Sequence, residues 1–279
     1  MWCRIQRLIN MKEYKIDTLI SKGRLHNLHC EDDFLVYEND KFILAAVFDG
    51  CSSGRDSHFA STMHKYKLKE ICNNLEEYTS IYADNVVENI LRELNRKIWS
   101  LDYEVNMEML STVVFLFIDK SNNKYHICVA GDGCYERKFM GSEFFESVHD
   151  ANGNAVWYLS TVKPVDFNDY FYNYCKWQKG ILENGDEICI SSDGLESFVS
   201  AFGASKNDEA RKIFFDTNKC AEKYQRMPLQ RLYNVVTKGK CTDVGSEVML
   251  NGDDFTMIKI KYVEEAEDGK SIIFKEVNE

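Results

Sequence analysis

Apolar residues fall along this chain in two rhythms. Residues 12–21 mix alternation with apolar positions and predict a strand, and residues 33–37 and 41–48 predict two more around the turn Glu38-Asn39-Asp40-Lys41. The rhythm then becomes helical. Residues 58–78 are one helical candidate. Residues 83–101 are the clearer one, with Val86, Val87, Ile90, Leu91, Leu94, Ile98 and Leu101 recurring at steps of three and four. Strands return at 111–119 and 124–131, and residues 135–140 and 143–148 predict a hairpin. Residues 155–159, the aromatic stretch 170–178 and residues 187–191 read as further strands. Residues 208–215 and 229–237 read as helices, and residues 255–263 and 271–277 as closing strands around the turn Asp268-Gly269.

Helices and strands are segregated along the chain and do not alternate one by one. That order predicts an α+β layered sandwich and argues against a doubly wound parallel sheet. The 279 residues suit one large domain, with an expected extension over residues 1–11, a domain over 12–263, and a turn and strand over 264–279 packing on it. Met11 is an alternative start. A net charge of −11 without any lysine- and arginine-rich block argues against nucleic acid as partner. The longest apolar runs, 42–48 and 113–118, are too short to span a bilayer, so no membrane association is expected. None of the ten cysteines forms a C-x-x-C pair, and the opening MWCRIQRLIN lacks the apolar stretch of a secretory signal; a cytoplasmic monomer is expected.

Candidate chemistry gathers at strand ends. FILAAVF runs into Asp49-Gly50, YHICVAG into Asp132-Gly133, and DEICISS into Asp193-Gly194. Glu31-Asp32-Asp33 and Asp253-Asp254 stand just before two more strands. A single Asp-Gly is ordinarily a hairpin turn, as Asp268-Gly269 is here. No returning strand follows Asp49 or Asp193, however, and carboxylates at the ends of several central strands can converge in space. Such oxygen clusters suit magnesium or manganese. Two such ions about 4 Å apart can activate water and clamp an in-line displacement at phosphorus.

A second pattern overlaps the first. Gly50-Cys51-Ser52-Ser53-Gly54 fits G-x-S-x-G, the turn that presents a nucleophilic serine, here Ser52. That chemistry needs a histidine late in the chain, and no histidine follows His149. The small residues then read first as the turn from strand to helix, with a serine hydrolase using Ser52 as the remote alternative.

The ordered motif set resembles the metal-dependent protein phosphatases, the type 2C serine/threonine class, in a divergent, bacterial-like form. SKGRLHNLHCEDDF resembles the opening segment of that family, AAVFDGCSSG its Val-x-Asp-Gly strand end, and LSTVVFLFI with YHICVAGDG its Ser-Thr strand and following turn. DEICISSDGLESF resembles its Ser-Asp-Gly-Leu motif and GDDFTMIKI its closing strand.

The resemblance implies a four-layer α/β/β/α sandwich, with two mainly antiparallel sheets face to face and helices outside. It implies hydrolysis of phosphoserine or phosphothreonine by a metal-bridging hydroxide, with no phospho-enzyme. Asp49 would bridge two manganese or magnesium ions and the Gly50 carbonyl would bind one of them. Asp193 and Asp253 would complete the protein ligands, Glu31 and Asp32 would hold metal-bound waters, and Asp132 with Asp193 would suit a third, weaker ion. Cys51 stands where many members place a proton-donating histidine. Asn27 stands where a phosphate-binding arginine is usual, so Arg24, His26 or Arg55 would take that part. The implied partner is a phosphorylated protein, the target of a serine/threonine kinase. The replacements at Cys51 and Asn27 keep open an inactive, phosphatase-like binding or regulatory protein. The aromatic segment DYFYNYCKWQ reads either as a strand with alternate rings in the core or as a peptide-docking surface.

Overall fold

The computed structural model describes residues 11–26, 28–52, 54, 56–75, 85–101, 103, 108–139, 142–148, 157–215, 224, 227–241 and 248–265. In chain order the strands are β1 (Met11–Ser21), β2 (Asp32–Glu38), β3 (Phe42–Gly50), β4 (Ser111–Asp119), β5 (Lys124–Ala130), β6 (Gly133–Phe139), β7 (Ser142–Val148), β8 (Lys176–Ile181), β9 (Glu187–Ser191), β10 (Phe198–Ser200), β11 (Met249–Asn251) and β12 (Phe255–Glu265). The helices are α1 (Ser57–Asn73), α2 (Val86–Trp99), α3 (Phe167–Asn173), α4 (Asn207–Phe214) and α5 (Leu229–Thr237).

Two five-stranded sheets form the centre. One runs β1-β12-β9-β6-β7 and the other β2-β3-β4-β5-β8, with β10 and β11 as a separate pair. Every pairing is antiparallel.

Three apolar layers hold this stack together, and they explain why the central strands read as unbroken apolar runs. Ile43, Ala45 and Val47 of β3 and Val114, Leu116 and Ile118 of β4 meet Ile188, Ile190, Ile258 and Ile260 between the two sheets. The alternate residues Leu44, Ala46, Phe48, Val113, Phe115 and Phe117 face the other way and pack against Leu68 and Ile71 of α1 and Ile90, Leu91, Leu94 and Ile98 of α2. On the far side, Leu19, Cys189 and Met257 pack against Ile213 and Phe214 of α4 and Leu229 and Leu232 of α5. A strand covered on both faces loses the polar alternation that marks a half-exposed one. The architecture is the expected α+β four-layer sandwich.

Three expectations shift. The aromatic stretch 170–178 divides into the end of α3 and the start of β8, because Phe167, Tyr170 and Phe171 recur at helical steps and are all buried. Residues 157 and 158 precede a single 3-10 turn at Leu159–Thr161 in place of a strand. β2 starts at Asp32 and β3 continues through Asp49 and Gly50, so both acidic positions belong to the sheet ladder. Residues 1–10 of the expected extension 1–11, together with Asn27, Arg55 and the closing strand 271–277, lie outside the described residues, and Met11 begins β1.

Candidate metal centre

Four strand ends meet at one edge of the sandwich. Asp49 pairs in register with Asp32 on β2 and with Thr112 on β4. Asp132 sits where the chain leaves β5 in one sheet and enters β6 in the other. Its neighbours Gly131 and Gly133 take φ values of +101° and +141°, which side chains rarely adopt. Asp193 opens the 3-10 turn Asp193–Ser197 that follows β9. Asp49, Asp132 and Asp193 each bring a carboxylate oxygen within 4.8 Å of the other two.

The cluster is electrostatically uneasy. Burial pushes the Asp49 carboxyl well above its ordinary range, and the charges of Asp32 and Asp193 add to the shift. Burial likewise pushes Asp32 up to about 8, although the Ser192 hydroxyl donates a hydrogen bond to its Oδ2 at 2.8 Å. Asp253 is raised by burial and then by the charge of Asp193. Two buried oxygens, Oδ1 of Asp32 and Oδ1 of Asp193, have no hydrogen-bond partner. Crowded, buried, partly unsatisfied carboxylates are stabilised by a hard divalent cation, and their all-oxygen character selects magnesium or manganese over softer metals. The residues present therefore fit the implied ions.

The surrounding support is built from backbone and from the carboxylates of Asp254 and Glu31. Asp254 Oδ1 accepts the Gly23 N–H at 2.6 Å and its Oδ2 accepts the Glu31 N–H, tying the loop before β2 to the start of β12. The Glu31 carbonyl accepts the Gly50 N–H at 3.2 Å, and Glu31 Oε2 accepts the Ser52 hydroxyl at 2.8 Å. Ser52 is thus committed to a carboxylate and not to a histidine. Gly194 passes so close to β12 that a Cβ on it would lie 1.7 Å from the Asp254 carbonyl oxygen.

Other expected residues sit differently. His26 is enclosed by carboxylates: its Nε2 lies 2.8 Å from Asp253 Oδ1, and its Nδ1 lies 3.4 Å from Asp254 Oδ2 and 3.6 Å from Glu31 Oε1. Both ring nitrogens thus face carboxylate oxygens. Arg24 is exposed, with its backbone N–H on the Asn251 carbonyl. Cys51 meets a residue that no motif marked. The Tyr158 hydroxyl hydrogen-bonds with the Cys51 thiol, and its pKa is raised by burial, by that bond and by the charges of Asp132 and Asp49.

The sequence pattern of the Protein phosphatase 2C family matches residues 22–234. The chain belongs to that family. Several solved structures share the fold. The S. agalactiae serine/threonine phosphatase aligns with a TM-score of 0.60 at 17% identity, covering 90% of this chain and 100% of the other. The catalytic domain of the serine threonine protein phosphatase PstP, in complex with two manganese ions, aligns with a TM-score of 0.55 at 14% identity, covering 91% and 100%. RsbX in complex with magnesium aligns with a TM-score of 0.52 at 17% identity, covering 91% and 100%. Among curated protein sequences none matches the chain at a significant level. The carboxylates at the strand ends thus belong to a protein phosphatase 2C fold, and no described helix is long and apolar enough to cross a membrane.

Proposed function

We propose that the chain is a metal-dependent phosphatase of phosphoserine and phosphothreonine in proteins, using manganese or magnesium. The observation that carries this is the convergence of Asp49, Asp132 and Asp193 from three separate strand ends, with Asp32 opposite Asp49. Asp49, Asp193 and Asp253 would hold the ions with the Gly50 carbonyl, Asp32 and Glu31 would orient their waters, and Asp132 would serve a weaker third site. Bound there, the ions would lower the pKa of a water so that hydroxide is available as the nucleophile toward phosphorus. The chain's own contribution is to fix the acids on rigid strand ends, and to place Cys51 and Tyr158 as protic groups beside them. A reducing compartment such as the cytoplasm would suit a chain whose cysteines include buried ones such as Cys128 and Cys189.

The test is manganese-dependent hydrolysis of a chromogenic aryl phosphate and of a phosphothreonine peptide, with Asp193→Asn as control. Activity that survives chelation or the substitution sinks the proposal. The second reading, an inactive binding protein, draws support from the enclosure of His26 by acids. It predicts a chain that folds and takes up manganese without turnover.

A further inference from the structure

The aromatic segment after Tyr158 forms a cavity that the phosphoryl chemistry does not use. It has a volume of about 240 Å³, and its lining includes Trp157, Tyr170, Tyr174, Asp166, Asp169 and Lys163. The rings make one continuous wall: Trp157 and Tyr174 have centroids 5.3 Å apart at 54°, and Tyr170 stacks on Tyr174 at 6.4 Å. This wall is anchored. Tyr170 is 3% exposed and its hydroxyl donates to the Trp157 carbonyl at 2.9 Å. Yet Trp157 and Tyr174 remain 48% and 42% exposed. Two rings held in place by a buried tyrosine, but left facing solvent, are a surface kept for contact and not a core.

The charge of the cavity decides what it would take. Asp166 and Asp169 stand at its rim against the single Lys163. Asp169 Oδ1 accepts a bond from Asn173 Nδ2 at 2.7 Å, which fixes that carboxylate in place. The faces of aromatic rings are negative and attract guanidinium and ammonium groups. Carboxylates add to that attraction and repel an anion. A purely apolar side chain would gain nothing from the two acids. Position along the chain links the cavity to the metal centre. Trp157 immediately precedes Tyr158, whose hydroxyl meets Cys51, two residues beyond Asp49. Adjacent Cα atoms are about 3.8 Å apart, so a bound peptide need extend only a few residues to reach both places.

We propose that this cavity is a subsite for an arginine or lysine side chain near the phosphorylated residue of the substrate. This rests on the phosphatase reading for its biological setting, whereas cation binding itself does not depend on turnover. The substrate class would then be phosphoproteins with a basic residue close to the phosphoryl group. A chain with net charge −11 suits such a partner.

The experiment uses the full chain with manganese and paired phosphothreonine peptides that differ only in arginine or norleucine near the phosphothreonine. A labelled, unphosphorylated form of the arginine peptide gives a direct binding readout by fluorescence anisotropy. The arginine peptide should show a kcat/KM about tenfold above the norleucine peptide, in the range of a cation over aromatic rings with acids beside it. That ratio should collapse toward one in the Asp166→Asn/Asp169→Asn double variant, and separately in Trp157→Leu, while circular dichroism reports folding of each. If nothing is hydrolysed but the unphosphorylated arginine peptide binds and the double variant abolishes that binding, the phosphatase reading fails and the subsite stands. If hydrolysis proceeds with equal efficiency on both peptides, the subsite is overturned and the phosphatase reading stands. A preference for arginine that survives the double variant also overturns the subsite, as does absence of both hydrolysis and binding.

Discussion

Asp32 and Asp49 lie directly opposite each other across the β2–β3 ladder, two acids where a sheet ordinarily places partners that attract. Without a cation this pairing opposes folding. Asp32→Asn keeps the acceptor for Ser192 and removes a carboxyl that the metal-free fold must otherwise hold protonated at pH 7, so the metal-free variant should be more stable than the native chain by about 1 kcal/mol or more. The same variant should bind manganese more weakly. Thermal denaturation with and without the ion reads both effects, and a lower metal-free Tm in the variant would contradict this account.

Raised carboxyls also predict proton release. With Asp32 near 8 and Asp49 well above its usual range, the metal-free chain holds protons on this pair at pH 7. A cation must displace them, so affinity should climb as pH rises through about 8. The sign for folding runs the opposite way. A carboxyl whose folded pKa is raised stabilises the metal-free fold below the unfolded value, and that contribution fades as pH rises through about 8. Titration calorimetry at pH 7 in two buffers of different ionisation heat should give different apparent enthalpies; identical values would rule the idea out.

Gly194 is needed for close approach, and Gly185 only for backbone conformation. A Cβ at Gly194 would lie 1.7 Å from a backbone oxygen, whereas at Gly185, with φ at +93°, a Cβ would meet nothing within 4 Å. Gly194→Ala should cost about 3 kcal/mol or more and separate Asp193 from the cluster. Gly185→Ala should cost about 1 kcal/mol and leave manganese binding intact. Urea denaturation paired with metal titration distinguishes the two, and equal losses at both positions would refute the distinction.

His64 predicts a separate acid sensitivity in the core. It is fully buried, its Nδ1 lies 2.8 Å from the Ala60 carbonyl, and burial lowers its pKa from 6.5 to about 4. A histidine with a depressed folded pKa leaves stability whole above 6.5, and stability falls as pH drops toward 4. The full loss is about 3 kcal/mol. His64→Leu should flatten the stability–pH curve in that window, measured by urea midpoints between pH 7 and 4. An unchanged slope would assign the acid loss to other groups.

Much of this arrangement was legible in the chain because it depends on local pattern. The runs through β3 and β4 announced strands buried on both faces, and the stripe from Val86 to Ile98 announced a helix. Asp49 and Asp193 stood out because no strand returned after them. What local pattern could not convey was distance. Nothing in the spacing says that Asp132, at a crossing between sheets, reaches the same point as Asp49 and Asp193. Tyr158 carried no motif, since its role comes from a segment folding back on Cys51. The steps Phe167, Tyr170 and Phe171 were helical, but strand-favouring aromatics obscured them.

Asp253 and Asp254 are neighbours with separate duties. Asp253 feels the charge of Asp193 and sets its Oδ1 2.8 Å from His26 Nε2, while Asp254 ties Gly23 and Glu31 to the start of β12. If Asp253 holds an ion as proposed, a library scored separately for abundance and for turnover should split this dipeptide, with silent proteins at 253 and missing proteins at 254. Over evolutionary time the same split lets chemistry be surrendered without loss of architecture. A lineage that abandoned catalysis could vary the first acid freely and would still have to keep the second.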